Sequence, residues 1–165
     1  NIPILKMPDG TTSEHATYKG EGIKQADVNL LAYPLKEITD TKQIKKDLDY
    51  YSVRVPNEGT PAMTQAIFAL LYSRIGDAEK AFHFFKDAYV PNLNPPFNVI
   101  AETKGATNPY FATGAGGILQ SLLNGFGGLE ITPGGIIQIK STLPKQWKSI
   151  TITGVGPQKK TFVVK

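Results

Sequence analysis

Hydrophobic periodicity changes once along this chain, near residue 127, and that change limits the fold more than any other feature. Before it the spacing is helical. Ile44, Leu48 and Tyr51 stand at i, i+4 and i+7, which predicts an amphipathic helix. Residues 23–33 carry Ile23, Leu30, Leu31 and Tyr33, and Pro34 closes the segment. Thr60-Pro61 supplies an N-cap and first-turn signal, after which Met63, Ala66, Ile67, Leu70 and Leu71 form a wide apolar stripe. Gly76 stops that helix and Asp77 caps the next, which is expected to bury Ala81, Phe82, Phe84, Phe85, Ala88 and Tyr89. So short a link makes the two an antiparallel αα-hairpin.

A loop rich in Pro and Asn follows (91–96), then a polar stretch from Glu102 to Asn108. Thr113-Gly114-Ala115-Gly116-Gly117 then opens a helix through Ile118, Leu119, Leu122 and Leu123. After Gly127-Gly128 the period becomes two. Leu129 and Ile131, Ile137 and Ile139, Ile150 and Ile152, and Phe162 and Val164 stand two residues apart, and Thr132-Pro133-Gly134-Gly135 marks a hairpin turn. The expectation is a mainly α chain: helices over 1–126 and a small antiparallel β-sheet over 127–165.

Composition removes several functions. The chain has 165 residues, enough for one ordinary domain and its core. Its 18 basic residues, giving a net charge of +4, are scattered or in short runs such as Lys45-Lys46 and Lys159-Lys160. A nucleic-acid footprint is a clustered stripe with a reading motif, and neither is present. With no cysteine, disulfide, thiol and Cys-zinc chemistry are excluded. With two histidines, His15 and His83, and no partner at ligand spacing, no metal site is expected, and both read as structural residues. No apolar run approaches the ~20 residues of a membrane span, so no membrane partner is expected. No cofactor is implied either. The beginning Asn1-Ile2-Pro3-Ile4-Leu5 lacks the basic region and long apolar run of a signal peptide, and suits a fragment or processed chain.

The segment best suited to chemistry is Ile100-Ala101-Glu102-Thr103-Lys104-Gly105-Ala106-Thr107-Asn108, a polar loop between helices. A glutamate held there can act as a general base, although spacing alone favours reading Glu102 as a surface carboxylate paired with Lys104. Gly114-Ala115-Gly116-Gly117, preceded by Thr113, either lets a ligand approach a helix N-terminus or lets the helix pack tightly on a neighbour. It is not a P-loop, because no Gly-Lys-Ser/Thr follows, and no β-α-β unit surrounds it. By propensity alone Lys24, Gln25 and Asp27 are ordinary helix-surface residues. Trp147, with Tyr110 and Phe111, either stacks on a sugar ring or belongs to the core.

Taken together, five ordered blocks across residues 18–129 resemble glycoside hydrolase family 65. They are Tyr18-Lys19-Gly20 with Lys24-Gln25-Ala26-Asp27-Val28 and Leu30-Leu31-Ala32-Tyr33-Pro34-Leu35; Leu48-Asp49-Tyr50-Tyr51; Pro61-Ala62-Met63-Thr64 with Arg74-Ile75-Gly76-Asp77-Ala78-Glu79-Lys80-Ala81; Pro95-Pro96-Phe97-Asn98-Val99 leading to Glu102; and Ala112-Thr113-Gly114-Ala115-Gly116-Gly117 with Gly125-Phe126-Gly127-Gly128-Leu129. The resemblance implies the C-terminal helices of an (α/α)6 barrel (1–126) followed by a small C-terminal β-sheet domain (127–165). The four or five helices legible here are too few to close such a ring, which places most of the barrel upstream.

The resemblance also implies chemistry. The family holds maltose, trehalose and kojibiose phosphorylases, acid trehalases and related α-glucoside hydrolases, and its mechanism is inverting. One carboxylic acid protonates the glycosidic oxygen while water or phosphate attacks from the opposite face. By the resemblance Lys24 and Gln25 line the glucose subsite, and Asn108, Thr113 and Gly114 are secondary candidates. The family's general acid lies upstream of this motif and has no match here. The phosphorylases hold phosphate with a His-containing segment before the Gly-rich turn; residues 102–113 contain Glu102 and no histidine. A carboxylate repels phosphate but can deprotonate water. The expected function is an inverting α-glucoside hydrolase acting on an α-glucosyl disaccharide or glucosyl-capped glycan, with Glu102 as base. A disaccharide phosphorylase, or a non-catalytic fragment when isolated, is the alternative. The partners implied are an α-glucoside and the upstream part of the same enzyme, and a homodimer of the intact enzyme is compatible with both. A periplasmic or extracellular setting is favoured over others.

Overall fold

A computed structural model describes residues 3–56, 61–108 and 110–165. Thr60, the expected helix cap, lies outside the described residues. Helix α3 (Ala62–Arg74) is the centre of the fold. Its sequence, AMTQAIFALLYSR, is apolar nearly all round, and a helix of that kind has no face to offer to water. It is surrounded accordingly: Phe68, Ala69 and Tyr72 have no exposed surface, and Leu70 and Leu71 have almost none. Helix α4 (Ala78–Tyr89) runs back along it after Gly76, whose φ of +89° suits a glycine at a helix end. The Asp77 side chain accepts the Lys80 backbone N–H at 3.2 Å, the cap the sequence predicts.

Helix α2 (Thr41–Tyr51) completes one side of this core through Leu48 and Tyr51. It also pins the N-terminal segment. Buried Asp47 accepts the backbone N–H and hydroxyl of Thr12 at 2.8 and 2.7 Å, and the Tyr51 hydroxyl donates to the Thr12 carbonyl at 2.6 Å. On its outer side Asp49 ties α2 to the αα-hairpin, accepting from the Tyr72 hydroxyl (2.9 Å), Lys80 Nζ (2.7 Å) and Lys45 Nζ (2.5 Å). Burial alone would raise this carboxyl; the bonds from Lys45, Lys80 and Tyr72 outweigh it and bring the pKa to about 2. A depressed carboxyl stabilises the fold above its unfolded pKa and loses that contribution as pH falls through the folded value. Acid unfolding should therefore steepen from about pH 3.8 down through about pH 2. Asp49→Asn is expected to flatten that limb in a circular-dichroism titration, and an unchanged limb would remove Asp49 from the linkage.

Helix α5 (Ala112–Gln120) lies against α3 and continues as a π-helical turn over Ser121–Phe126. Small residues make the seam. A Cβ on Gly117 would stand 3.1 Å from the Ala66 methyl, one on Gly125 3.0 Å from the Leu70 Cα, and the Ser121 hydroxyl donates to the Ala66 carbonyl at 3.0 Å. Within the glycine run Gly117 is thus packed close, while a Cβ on Gly116 would meet nothing within 4 Å.

Several expectations need correction. The helix expected over 23–33 is only α1 (Asp27–Leu30). Before it the backbone is committed elsewhere: Ile23 N–H donates to the Arg54 carbonyl at 3.0 Å and the Lys24 carbonyl accepts the Thr64 hydroxyl at 2.6 Å. Of the residues expected to be buried on α4, Ala81, Phe85 and Ala88 are buried, whereas Phe82, Phe84 and Tyr89 are half-buried. His83 is not a packed core residue. The 3.6 period turns it away from that buried face, so its side chain is mostly exposed and meets Asp87 at 3.4 Å. His15 is also exposed, with Nδ1 3.2 Å from the Thr17 hydroxyl.

The strands do not form one sheet. Strands β3 (Leu129–Thr132) and β4 (Gly135–Gln138) pair antiparallel with Thr132 opposite Gly135, the predicted hairpin. Strands β5 (Ile150–Val155) and β6 (Lys160–Val164) form a separate one. The reason lies between them: Leu143 and Trp147 turn into the helical core, so 139–149 is spent on packing. A further hairpin, β1 (Leu93–Asn94) with β2 (Val99–Ile100), is hidden in the sequence by its Pro-rich turn.

Candidate active site

The loop carrying Glu102 is fixed at both ends. Ala101, fully buried, donates its N–H to the Asn92 carbonyl at 2.8 Å, and Phe111 N–H returns to the Ile100 carbonyl at 2.9 Å. Between them the Asn94 side chain holds the Ala106 carbonyl at 3.0 Å, and Gly105 takes the turn with φ +74°. Hairpin β1–β2 is therefore the platform of this loop.

Glu102 itself touches α3. Its carbonyl accepts the N–H of Ala62, the first residue of that helix, at 2.9 Å. Two residues on, Thr64 holds the Lys24 carbonyl. One helical turn thus grips two segments remote in sequence, and their side chains meet: Lys24 Nζ stands 2.6 Å from Glu102 Oε1. Asn108 Nδ2 is 3.5 Å from Oε2, at the long limit of a hydrogen bond. The hydrogen bond from Lys24, with its charge, holds the Glu102 carboxyl below the usual carboxylate range against a small opposing effect of burial. Glu102 is ionised at neutral pH, and its side chain keeps 29% of its surface open to solvent. The partner read from sequence, Lys104, is replaced by Lys24.

Gln25 follows Lys24 on the wall of a recess of about 400 Å³ that also includes Glu14, His15, Tyr18 and Asp27. Gln25 Oε1 and Glu14 Oε2 are enclosed by protein and make no hydrogen bond to the described residues. Burial first, then the neighbouring Asp27, push the Glu14 carboxyl above its ordinary value. Sequence reading missed Glu14, since nothing in its spacing announces that it shares a recess with Gln25 and Asp27. It missed Thr64 also, although Thr64 lies inside a quoted block.

The secondary candidates separate. Asn108 joins Glu102. Thr113 is exposed on the first turn of α5. Gly114 faces α3: a Cβ there would stand 2.8 Å from both the Ala62 methyl and the Phe111 ring. It lets α5 approach the first turn of α3, whose Ala62 N–H bonds the Glu102 carbonyl. Trp147 belongs to an aromatic cluster, 4.8 Å from Phe126 and 5.3 Å from Phe82 between ring centroids. Tyr110 is exposed and Phe111 half-buried. Among the described residues no group of three or more His, Asp or Glu is arranged to hold a metal ion, and no helix is long and apolar enough to cross a membrane.

Residues 10–99 match the family model described as the glycosyl hydrolase family 65 central catalytic domain. The chain belongs to glycosyl hydrolase family 65. Over all 165 residues it is 79% identical to a kojibiose hydrolase of Mucilaginibacter mallensis, of which it covers 24%. It is 64% identical over 164 residues to a kojibiose hydrolase of Flavobacterium johnsoniae, again covering 24% of that protein. A cell wall acid trehalase of Arthroderma benhamiae is 32% identical over 148 residues, which are 82% of this chain and 14% of that protein. The chain thus spans about a quarter of the length of the kojibiose hydrolases it matches. Lys24, Gln25 and Thr64 fall inside the family-model match; Glu102 and the secondary candidates follow it, within the region shared with the kojibiose hydrolases.

Proposed function

We propose that this chain is the water-activating portion of an inverting α-glucoside hydrolase, with Glu102 as general base and Lys24 and Gln25 lining the glucose subsite. The observation that carries the reading is the ion pair between Lys24 and Glu102, which joins a sugar-binding position to an ionised carboxylate. An ionised carboxylate is the form that accepts a proton from water. The general acid belongs to the part of the enzyme outside this chain, about 6.5–9.5 Å from Glu102 across the scissile bond, as inversion requires. Residues 1–126 then form closing helices of an (α/α)6 barrel, and 127–165 a C-terminal β-unit.

The substrate class is an α-glucosyl disaccharide or a glucosyl-capped glycan. Kojibiose ranks first, because relatives 79% and 64% identical to this chain are kojibiose hydrolases. A setting outside the cytoplasm follows the cell wall trehalase. Hydrolysis is favoured over phosphorolysis because residues 102–113 lack histidine. The test is a proton NMR time course of the longer protein on kojibiose. It should show β-glucose formed first, with no acceleration by phosphate. First-formed α-glucose would overturn inversion, and phosphate-dependent β-glucose 1-phosphate would establish the phosphorylase instead. The isolated 165-residue chain should hydrolyse nothing, since it lacks the acid; detectable turnover by the pure chain would overturn that division of labour.

A further inference from the structure

The first turn of α3 does more than begin a helix. Ala62 and Thr64, two residues apart, bond to the main chain of the two segments that carry the ion pair: Ala62 N–H to the Glu102 carbonyl at 2.9 Å, and the Thr64 hydroxyl to the Lys24 carbonyl at 2.6 Å. Thr64 is fully buried. Among the described residues the main-chain bonds beside Lys24 run from Ile23 N–H to the Arg54 carbonyl and from the Asn29 and Leu30 N–H groups to the Ala26 carbonyl, while the bond on Lys24 itself comes from Thr64. Between the buried Ile23 and Ala26, that hydroxyl supplies the hydrogen bond that fixes the exposed Lys24 at its own main chain.

We infer that Thr64 is a positioning residue for catalysis: by anchoring the Lys24 main chain it keeps the Lys24 ammonium on the Glu102 carboxylate. The inference rests on Glu102 being the base. The ion pair is half open to solvent, with Lys24 59% and Glu102 29% exposed at the side chain. A pair so exposed adds at most about 1 kcal/mol to stability, so its geometry matters to the carboxylate more than to the fold. Its effect on the base has a definite sign. A base works when deprotonated, and activity falls as pH drops through its pKa. Lys24 favours the ionised carboxylate and thereby extends activity to lower pH. Among the described residues the other groups that approach Glu102 are neutral: Asn108 at 3.5 Å and the Ala62 N–H on its carbonyl. Lys24 is the charge that acts on it.

The test is the pH profile of kcat/KM on kojibiose for the longer protein and five variants. Thr64→Val keeps the shape and removes the donor; Thr64→Ala removes it with less demand on packing, should the valine variant not fold. Both should move the acid limb to higher pH and lower kcat/KM on that side about 3–10-fold, the size of one ordinary hydrogen bond. Thr64→Ser, which keeps the hydroxyl, should restore the profile. In a Lys24→Met background Thr64→Val should produce no further displacement, because the two act through one interaction. An unmoved acid limb in a folded Thr64→Val or Thr64→Ala variant would overturn the inference, as would an additive shift in the Lys24→Met background. A separate Glu102→Gln control divides the two claims. If that variant stays active, the base assignment has failed; if it is inactive while the threonine variants keep the original limb, only the positioning role has.

Discussion

Replacing Glu102 with glutamine in the longer protein is expected to lower kcat on kojibiose about 10²–10⁴-fold, the range general-base catalysis supplies, with little change in KM. Glutamine has nearly the size of glutamate and cannot take a proton from water at any working pH. The backbone framework of the loop is unaffected, because the bonds that hold it do not use the Glu102 carboxylate: Ala62 N–H to the Glu102 carbonyl, Ala101 N–H to Asn92, Phe111 N–H to Ile100, and the Asn94 side chain to the Ala106 carbonyl. What the folded chain loses is one exposed ion pair with Lys24, worth about 0–1 kcal/mol. A large loss of turnover at an unchanged melting temperature is therefore the signature of lost chemistry. Turnover within a few-fold of the parent would remove Glu102 from the mechanism, and a collapse of both activity and Tm would make its role structural.

How far the sequence leads to this site can be judged residue by residue. The 3.6 period finds α3 and α4, and Gly76-Asp77 and Thr132 to Gly135 mark turns where the structure has them, because these signals are local and depend on backbone chemistry alone. The family resemblance names Lys24 and Glu102, but no spacing shows that they touch, since the contact is made by a third element, the first turn of α3. Spacing favours Lys104 as the partner; the hairpin β1–β2 and the tether from Asn94 to Ala106 orient the loop toward Lys24 instead. The helix expected over 23–33 shortens to four residues for the same kind of reason: Arg54 and Thr64 claim its early backbone groups. The two β-hairpins stay separate because Leu143 and Trp147 pack into the core, a tertiary choice that strand periodicity does not register.

The second large effect is expected in stability, at the junction where helices give way to strands. Phe126 has no exposed surface, and its ring meets those of Trp147 and Phe85 at centroid distances of 4.8 and 5.7 Å, both edge-to-face. Its carbonyl accepts the Ser141 hydroxyl at 2.5 Å, tying the segment after β4 to the end of α5. The site has little room to collapse around a missing ring. Next to it a Cβ on Gly128 would stand 2.4 Å from the Ile139 carbonyl oxygen, so the backbones are already as close as glycine permits. Phe126→Ala should therefore cost about 3–5 kcal/mol, the usual cost of emptying an aromatic core position. At roughly 2–4 °C per kcal/mol for a chain of this size, Tm should fall by roughly 6–20 °C. Phe97, 84% exposed on the β1–β2 turn, is the matched control, and Phe97→Ala should leave Tm nearly unchanged. Trp147 is the single tryptophan of the 165 residues, so its emission reads the cluster directly and should shift to the red in the Phe126 variant before unfolding. Equal melting temperatures for the two alanine variants would mean that Phe126 does not join α5 to the strands as the aromatic contacts require.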